Sequence, residues 1–307
     1  MSLPVMAAPM FLVSCPKLVI ESCNAGIIGS FPALNQRTSA GYEDWLNEIE
    51  AALTPDHPPF AVNLIVHKTN PRLKPDLDIT VKHRVPIVIT SLGAAKEVVD
   101  AVHSYGGLVF HDVTTVRFAK KALEAGVDGL IAVCCGAGGH GGTYNPFAFI
   151  SELKAITDKP IIASGAISNG NSVLAAQAAG ADLAYMGTHF IAAEESAASD
   201  SYKQMLLNSS AKDIVYTPKI SGVNANFLLP SVQASNIDLA EVETPTLDAE
   251  EELSGEAKAW KDIWSAGQGV GGIKQVEPLR QIVQRLRDEY HQAFDHLSRD
   301  VLAFRKV

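Results

Sequence analysis

Apolar residues along this chain of 307 fall into short dense blocks separated by amphipathic stretches. The blocks cover 5–10, 27–30, 60–65, 86–91, 107–112, 129–133, 160–165 and 183–188. They show little polar alternation, as expected of strands buried on both faces. Between them the apolar spacing is helical over 16–23, 42–53, 94–105, 116–125, 147–157 and 171–179, and partly helical over 70–84. In 42–53, for example, Trp45, Leu46 and Ile49 share one face. Eight strand–helix units in about the first 190 residues predict an α/β chain closed into a (β/α)8 TIM barrel. An open doubly wound sheet is the alternative, but such sheets seldom run to eight regular units.

The period then breaks. Residues 199–209 read as helix, 219–232 as irregular loop, and 238–256 as an acidic run without Lys or Arg, the mark of a solvated linker or helix face. A second glycine-rich loop follows at 265–272. A long amphipathic helix over 276–297 carries Leu279, Ile282, Val283, Leu286 and Tyr290 on one face. The expected organisation is a barrel over 1–199, a lid-like excursion over 200–275 that covers its mouth, and a C-terminal helix over 276–307 that returns to pack on the barrel.

Charge and cysteine usage narrow the setting. A net charge of −9 disfavours nucleic acid and anionic membrane as partners. Cys15, Cys23, Cys134 and Cys135 have neither zinc-ligand spacing nor the look of a disulfide framework, which fits a reducing compartment. Residues 1–12 lack a basic leader segment and no apolar run reaches spanning length, so the expectation is a cytoplasmic protein; a homo-oligomer is compatible with the sequence. Adjacent cysteines bridge only with strain, so Cys134 and Cys135 read as small buried residues.

The densest chemical signal is the loop Cys134-Cys135-Gly136-Ala137-Gly138-Gly139-His140-Gly141-Gly142-Thr143. So many glycines read as a loop in which backbone approaches a ligand, with His140 presenting an imidazole of near-neutral pKa. Gly136 to Gly141 also fits G-x-G-x-x-G. That fingerprint requires an acidic residue about 20 positions on, at the end of the next strand, and 160–165 supplies none. His67, His111 and His189 read as surface or internally satisfied histidines.

In a barrel the site lies at the C-terminal strand ends, with phosphate commonly bound after strands seven and eight. Those ends are Gly165-Ala166 and Gly187-Thr188, where backbone amides and a hydroxyl can meet an anion. Ala8, Pro9 and Met10 offer apolar contact and free backbone to a flat ring. Asn63 is a lone amide in an apolar strand, Thr90 and Ser91 end strand four, and His111-Asp112 end strand five. A phosphorylated ligand follows from this set; flavin mononucleotide (FMN) has the shape that suits it.

The same segments, Ala8-Pro9-Met10, Asn24-Ala25-Gly26, Asn63-Leu64, Gly138-Gly139-His140-Gly141, Ser164-Gly165-Ala166-Ile167, Gly180-Ala181-Asp182, Met186-Gly187-Thr188 and Ala266-Gly267-Gln268, resemble the nitronate monooxygenase family, formerly 2-nitropropane dioxygenases. The resemblance runs in order over nearly the whole chain. It implies a barrel holding FMN non-covalently, with the phosphate at Gly165, Ala166, Gly187 and Thr188 and the flavin also met by Ala8, Pro9, Met10, Asn63, Thr90, Gly138, Gly139 and Gln268. It implies His140 beside ring and substrate, and oxidation of alkyl nitronates, or nitroalkanes, by O2 to carbonyl compounds and nitrite. No metal is expected. Two other readings stay open: an NAD(P)H-dependent FMN reductase of quinones or enoyl thioesters, and a flavin-free barrel whose glycine cups hold a phosphorylated substrate.

Overall fold

The computed structural model describes residues 1–93, 96–246 and 261–304. Eight parallel strands form one sheet: β1 (Val5–Ala7), β2 (Ser30–Pro32), β3 (Ala61–Ile65), β4 (Ile87–Ser91), β5 (Leu108–Val113), β6 (Gly129–Val133), then β8 (Ile161–Ser164) and β9 (Leu183–Met186). A short strand, β7 (Gly139–His140), lies outside this sheet. β9 pairs with β1, and a parallel bridge between Met6 and Ile28 joins β1 to the approach of β2, so the sheet curls into a nearly closed barrel.

Helices alternate with the strands: α1 (Pro16–Asn24), α2 (Ser39–Ala52), α3 (Leu73–Lys82), α4 (Lys96–His103), α5 (Val116–Ala125), α6 (Pro146–Lys154) and α7 (Gly170–Ala178). Their starts follow local chemistry. Thr38, Thr115, Asn145 and Asn169 each accept a backbone N–H as N-cap, and Pro16 and Pro146 take first-turn positions where no amide is needed. The expected helix 94–105 is found from Lys96; its first two residues lie outside the described set.

Each barrel strand is apolar on both faces because it serves two cores. One set of side chains, including Val62, Val88 and Val109, packs under the helices. The alternate set, including Ala61, Ile87, Ile89, Phe110, Ile131 and Ile162, fills the barrel interior.

After β9 the chain makes its excursion: α8 (Thr188–Ile191), α9 (Asp200–Leu207), strands β10 (Ile214–Thr217) and β11 (Ala225–Leu228), and α10 (Leu229–Ala234). The segment 219–232, expected as irregular loop, thus contains a strand and a helix. Its four-residue strand was too short to show a period, and its partners are remote. β11 pairs antiparallel with β10 on one side and β7 on the other, so the excursion is stitched to the glycine–histidine loop. Most of the acidic run, with Trp260, lies outside the described residues.

The last helix, α11 (Leu279–Phe304), packs against both α7 and α1. It therefore takes the eighth helix position, and the excursion is an insertion between strand eight and helix eight. Leu279, Ile282, Val283 and Leu286 are buried there, as their spacing predicted. The Glu289 carboxylate accepts the Gly170 amide at 2.8 Å and so caps α7. Among the described residues no helix is long and apolar enough to cross a membrane.

Candidate active site

A cavity of about 1000 Å³ opens at the C-terminal ends of the barrel strands. It is at the upper end of the roughly 300–1000 Å³ usual for small-molecule sites, room for a cofactor and a second ligand together. Ala8, Pro9, Met10, Asn63, Gly138, Gly139, His140, Gly165, Ala166, Gly187 and Thr188 all line it. Thr90 and Gln268 do not.

Strand parity explains Thr90. In β4 the inward residues are Ile87, Ile89 and Ser91, while Val88 and Thr90 face outward. Thr90 is buried, and its hydroxyl pairs with His111 Nδ1 at 2.7 Å. Ser91 is the cavity residue of this pair. A strand apolar at every position does not reveal which set faces in, so the choice was not legible. Gln268 is exposed; its backbone amide donates to Gly136 O at 2.9 Å and ties the two glycine loops together.

All five glycines of the 136–142 loop line the cavity, and two of them also admit close backbone contacts. A Cβ on Gly138 would sit 2.8 Å from the Gly267 nitrogen, and one on Gly142 would sit 2.4 Å from Val133 O. These residues let the loop after β6 interlock with 265–268 and its own strand. Gly165 is constrained twice over: its φ is +126°, and a Cβ would meet Cys135 O at 2.6 Å.

His140 is held by the excursion. Its partner in the β7–β11 ladder is Ala225, and Gly139 faces Asn226. Asn226 Nδ2 donates to Ala137 O at 2.6 Å, the Tyr216 hydroxyl to Gly141 O at 2.9 Å, and the Gly139 amide to Ser265 Oγ at 2.5 Å. Ser221 Oγ stands 3.4 Å from His140 Nε2. Asn226, Tyr216 and Ser265 were missed in the sequence because the pairing that brings them here is non-local.

Burial pushes the His140 imidazole down to about 4 rather than leaving it near neutral. At neutral pH it is uncharged, with one ring N–H to donate. His111 and His189 are likewise pushed down to about 4 by burial, His189 with added repulsion from Arg285, whose Nη2 lies 2.9 Å from its Nε2. Arg285 also pairs with Glu277, so His189 is a structural residue behind the strand-nine end.

The opposite wall is a polar chain. Asn63 Nδ2 donates to Ser91 Oγ at 2.7 Å and to Ile89 O at 3.3 Å, and Ser91 Oγ donates to Asp112 Oδ2 at 2.6 Å. Asn63 therefore has its Oδ1 left for a ligand. Burial raises Asp112 to about 6, the Ser91 bond opposing that rise.

Two glycine-bearing strand ends face this wall. Among the described residues no hydrogen bond takes the Gly165 or Gly187 amide. Thr188 Oγ1 accepts the Gly267 amide at 2.8 Å, which leaves its own hydrogen to donate. Unpaired amides at adjacent strand ends are the chemistry that a phosphate group needs, so these residues fit a phosphorylated cofactor. Cys134 is buried, its thiol pushed up to about 12, chiefly by burial, and all four cysteines are free.

Residues 72–289 match the nitronate monooxygenase family. The chain belongs to that family. His140, Gly165 and Gly187 fall inside the match, while Ala8 to Met10 and Asn63 precede it. A nitronate monooxygenase of Paraburkholderia phytofirmans is 28% identical, over 96% of this chain and 94% of that protein. A carboxyl-CoA dehydrogenase of Rhodococcus jostii is 26% identical over 72% of this chain and 61% of its own length. Among solved structures, FabK from Thermotoga maritima superposes with a TM-score of 0.84 at 22% identity, covering 97% and 95% of the two chains. Nitroalkane oxidase from Streptomyces ansochromogenes gives 0.83 at 23%, covering 96% and 97%. At such identities these two speak for the barrel alone. Family membership makes this protein a flavin-dependent oxidoreductase.

Proposed function

We propose that the protein binds FMN and oxidises alkyl nitronates with O2 to a carbonyl compound and nitrite. The phosphate would lie at Gly165, Ala166 and Gly187, held by the free amides of Gly165 and Gly187 and the hydroxyl of Thr188, while the Ala166 amide donates to Gly136 O at 3.3 Å. Ala8 to Met10 would give the ring apolar contact and backbone, and Asn63 Oδ1 would accept a hydrogen bond from it. Bound there, FMN supplies the electron acceptor for the substrate and the site of reaction with O2.

The observation that carries the reading is a neutral His140 on the cavity wall beside these residues. A nitronate is already an anion and asks for a hydrogen-bond donor rather than a base, which a neutral imidazole provides. A base that weak removes a proton from a neutral nitroalkane slowly, so the preformed nitronate is the favoured substrate.

One feature supports a second reading, an NAD(P)H-dependent reductase. The cavity runs out past Thr114 and Thr115 to Phe118 and Lys121 on α5, further than a short nitronate needs. A visible spectrum of the purified protein, taken without O2 before and after additions, separates the two. The nitronate reading expects a yellow protein that bleaches with alkyl nitronate. Bleaching by NADH or NADPH alone would transfer the assignment to the reductases, and a colourless protein that takes up no FMN would end both.

A further inference from the structure

The polar wall contains a group that binding alone does not explain. Asp112 is the one ionisable residue on the inward face of β5. Its Oδ2 accepts from Ser91, and among the described residues its buried Oδ1 has no hydrogen-bond partner. The Tyr185 hydroxyl, from the inward face of β9, is also buried and without a partner, and lies close enough for the Asp112 charge to raise its pKa. Both residues line the cavity. A buried carboxyl with a bare oxygen is costly when ionised, and its state is set by charge arriving nearby.

Resting on the flavin reading above, we propose that Asp112 is the proton-storing group of the site: it takes up a proton as the bound flavin is reduced and releases it as the electrons pass on to O2. The electrons come from the substrate, the proton from solvent, and no bond to carbon changes at Asp112. Negative charge placed in the cavity disfavours a second negative charge on its wall, so reduction moves the carboxyl toward its acid form. Beyond burial, the one influence resolved on Asp112 is the Ser91 hydroxyl, which holds the carboxyl down. Tyr185 is neutral far above neutral pH, and His111 and His140 are neutral above about 4. In the oxidised protein Asp112 ionises above about pH 6, and reduction raises that point, so the extra proton is taken up on the alkaline side of about 6.

The test is proton uptake by the FMN-loaded protein during anaerobic photoreduction, followed with a pH indicator in weakly buffered solution at about pH 7, with the flavin midpoint potential measured from about pH 5 to 8. The wild type should take up close to one proton more than Asp112→Asn, and its potential should fall more steeply with pH above about 6. Equal proton counts and parallel potential curves, with FMN bound in both, would overturn the proposal and leave the flavin reading intact. Failure of the wild type to hold FMN would overturn both together. Should Asp112→Asn not fold, Ser91→Ala keeps the question open to decision: loss of that donor should move the break in the potential curve to higher pH, and an unmoved break counts against Asp112.

Discussion

The two sides of the cavity are built by different means. The barrel side, from Ala8 through Asn63, Ser91 and Asp112 to Gly165 and Gly187, comes from consecutive strand ends, each placed by a strand–helix unit of local sequence. The side that holds His140 comes from a three-stranded antiparallel patch in which residues 139–140 meet 225–226, more than 80 positions away. The barrel side is fixed by a packed interior on one face and a helix layer on the other. The His140 side hangs on a few hydrogen bonds to Asn226, Tyr216 and Ser265. On the function proposed above, this divides the labour: groups that would hold the cofactor sit on the rigid wall, and the imidazole that would meet the substrate sits on a segment that can be altered without disturbing the barrel.

Substitutions on the two sides should therefore fail differently. The largest effect is expected from Gly165→Val, which forces a side chain into the left-handed backbone region and against Cys135 O. A cost of at least about 1–3 kcal/mol and loss of FMN retention on gel filtration are expected. His140→Asn should leave FMN bound and the melting temperature near that of wild type, while turnover of a neutral nitroalkane falls about 10²–10⁴-fold and preformed nitronate is affected less. Turnover of both substrates unchanged from wild type would remove His140 from the chemistry.

Asn226→Ala tests the stitching itself. It leaves Ala137 O without its donor and should cost roughly 1–3 kcal/mol in chemical denaturation, with faster hydrogen exchange in 137–141 and little change in the barrel strands. The smallest effect on the site is expected from Thr90→Val. Its hydroxyl pairs with His111, which lines the cavity, while Thr90 itself does not, so stability should drop by about 1 kcal/mol with at most a small change in the Kd for FMN. A marked loss of FMN affinity would mean that the parity assigned to β4 is wrong.

The eight-unit period, the strand–helix alternation and the amphipathic last helix were legible because each depends on short-range spacing. Strand boundaries at β6 and the bounds of α5 coincide with expectation for that reason. That Gly165 and Gly187 reach the cavity was legible because a barrel dictates where strand ends converge. Three things were not. Strands apolar on both faces hide their parity, so the sequence does not tell Thr90 from Ser91 as the cavity residue. The backbone contact that Gly138 admits, with Gly267, joins segments far apart along the chain, so this second use of the loop glycines is hidden in the sequence. The neutral state of His140 was missed because a pKa depends on burial, which no local motif states.

What the sequence by itself determined is the barrel, since two faces of every strand had to be covered and only helices of the observed spacing could do so. It also determined the presence of glycine at strand ends seven and eight. The tertiary structure alone decided which atoms remain for a ligand: the amides of Gly165 and Gly187, the Asn63 oxygen, the bare oxygen of Asp112 and the uncharged ring of His140. Those outcomes depend on which neighbours claim a donor or exclude water, and neighbours distant along the chain meet only when it folds.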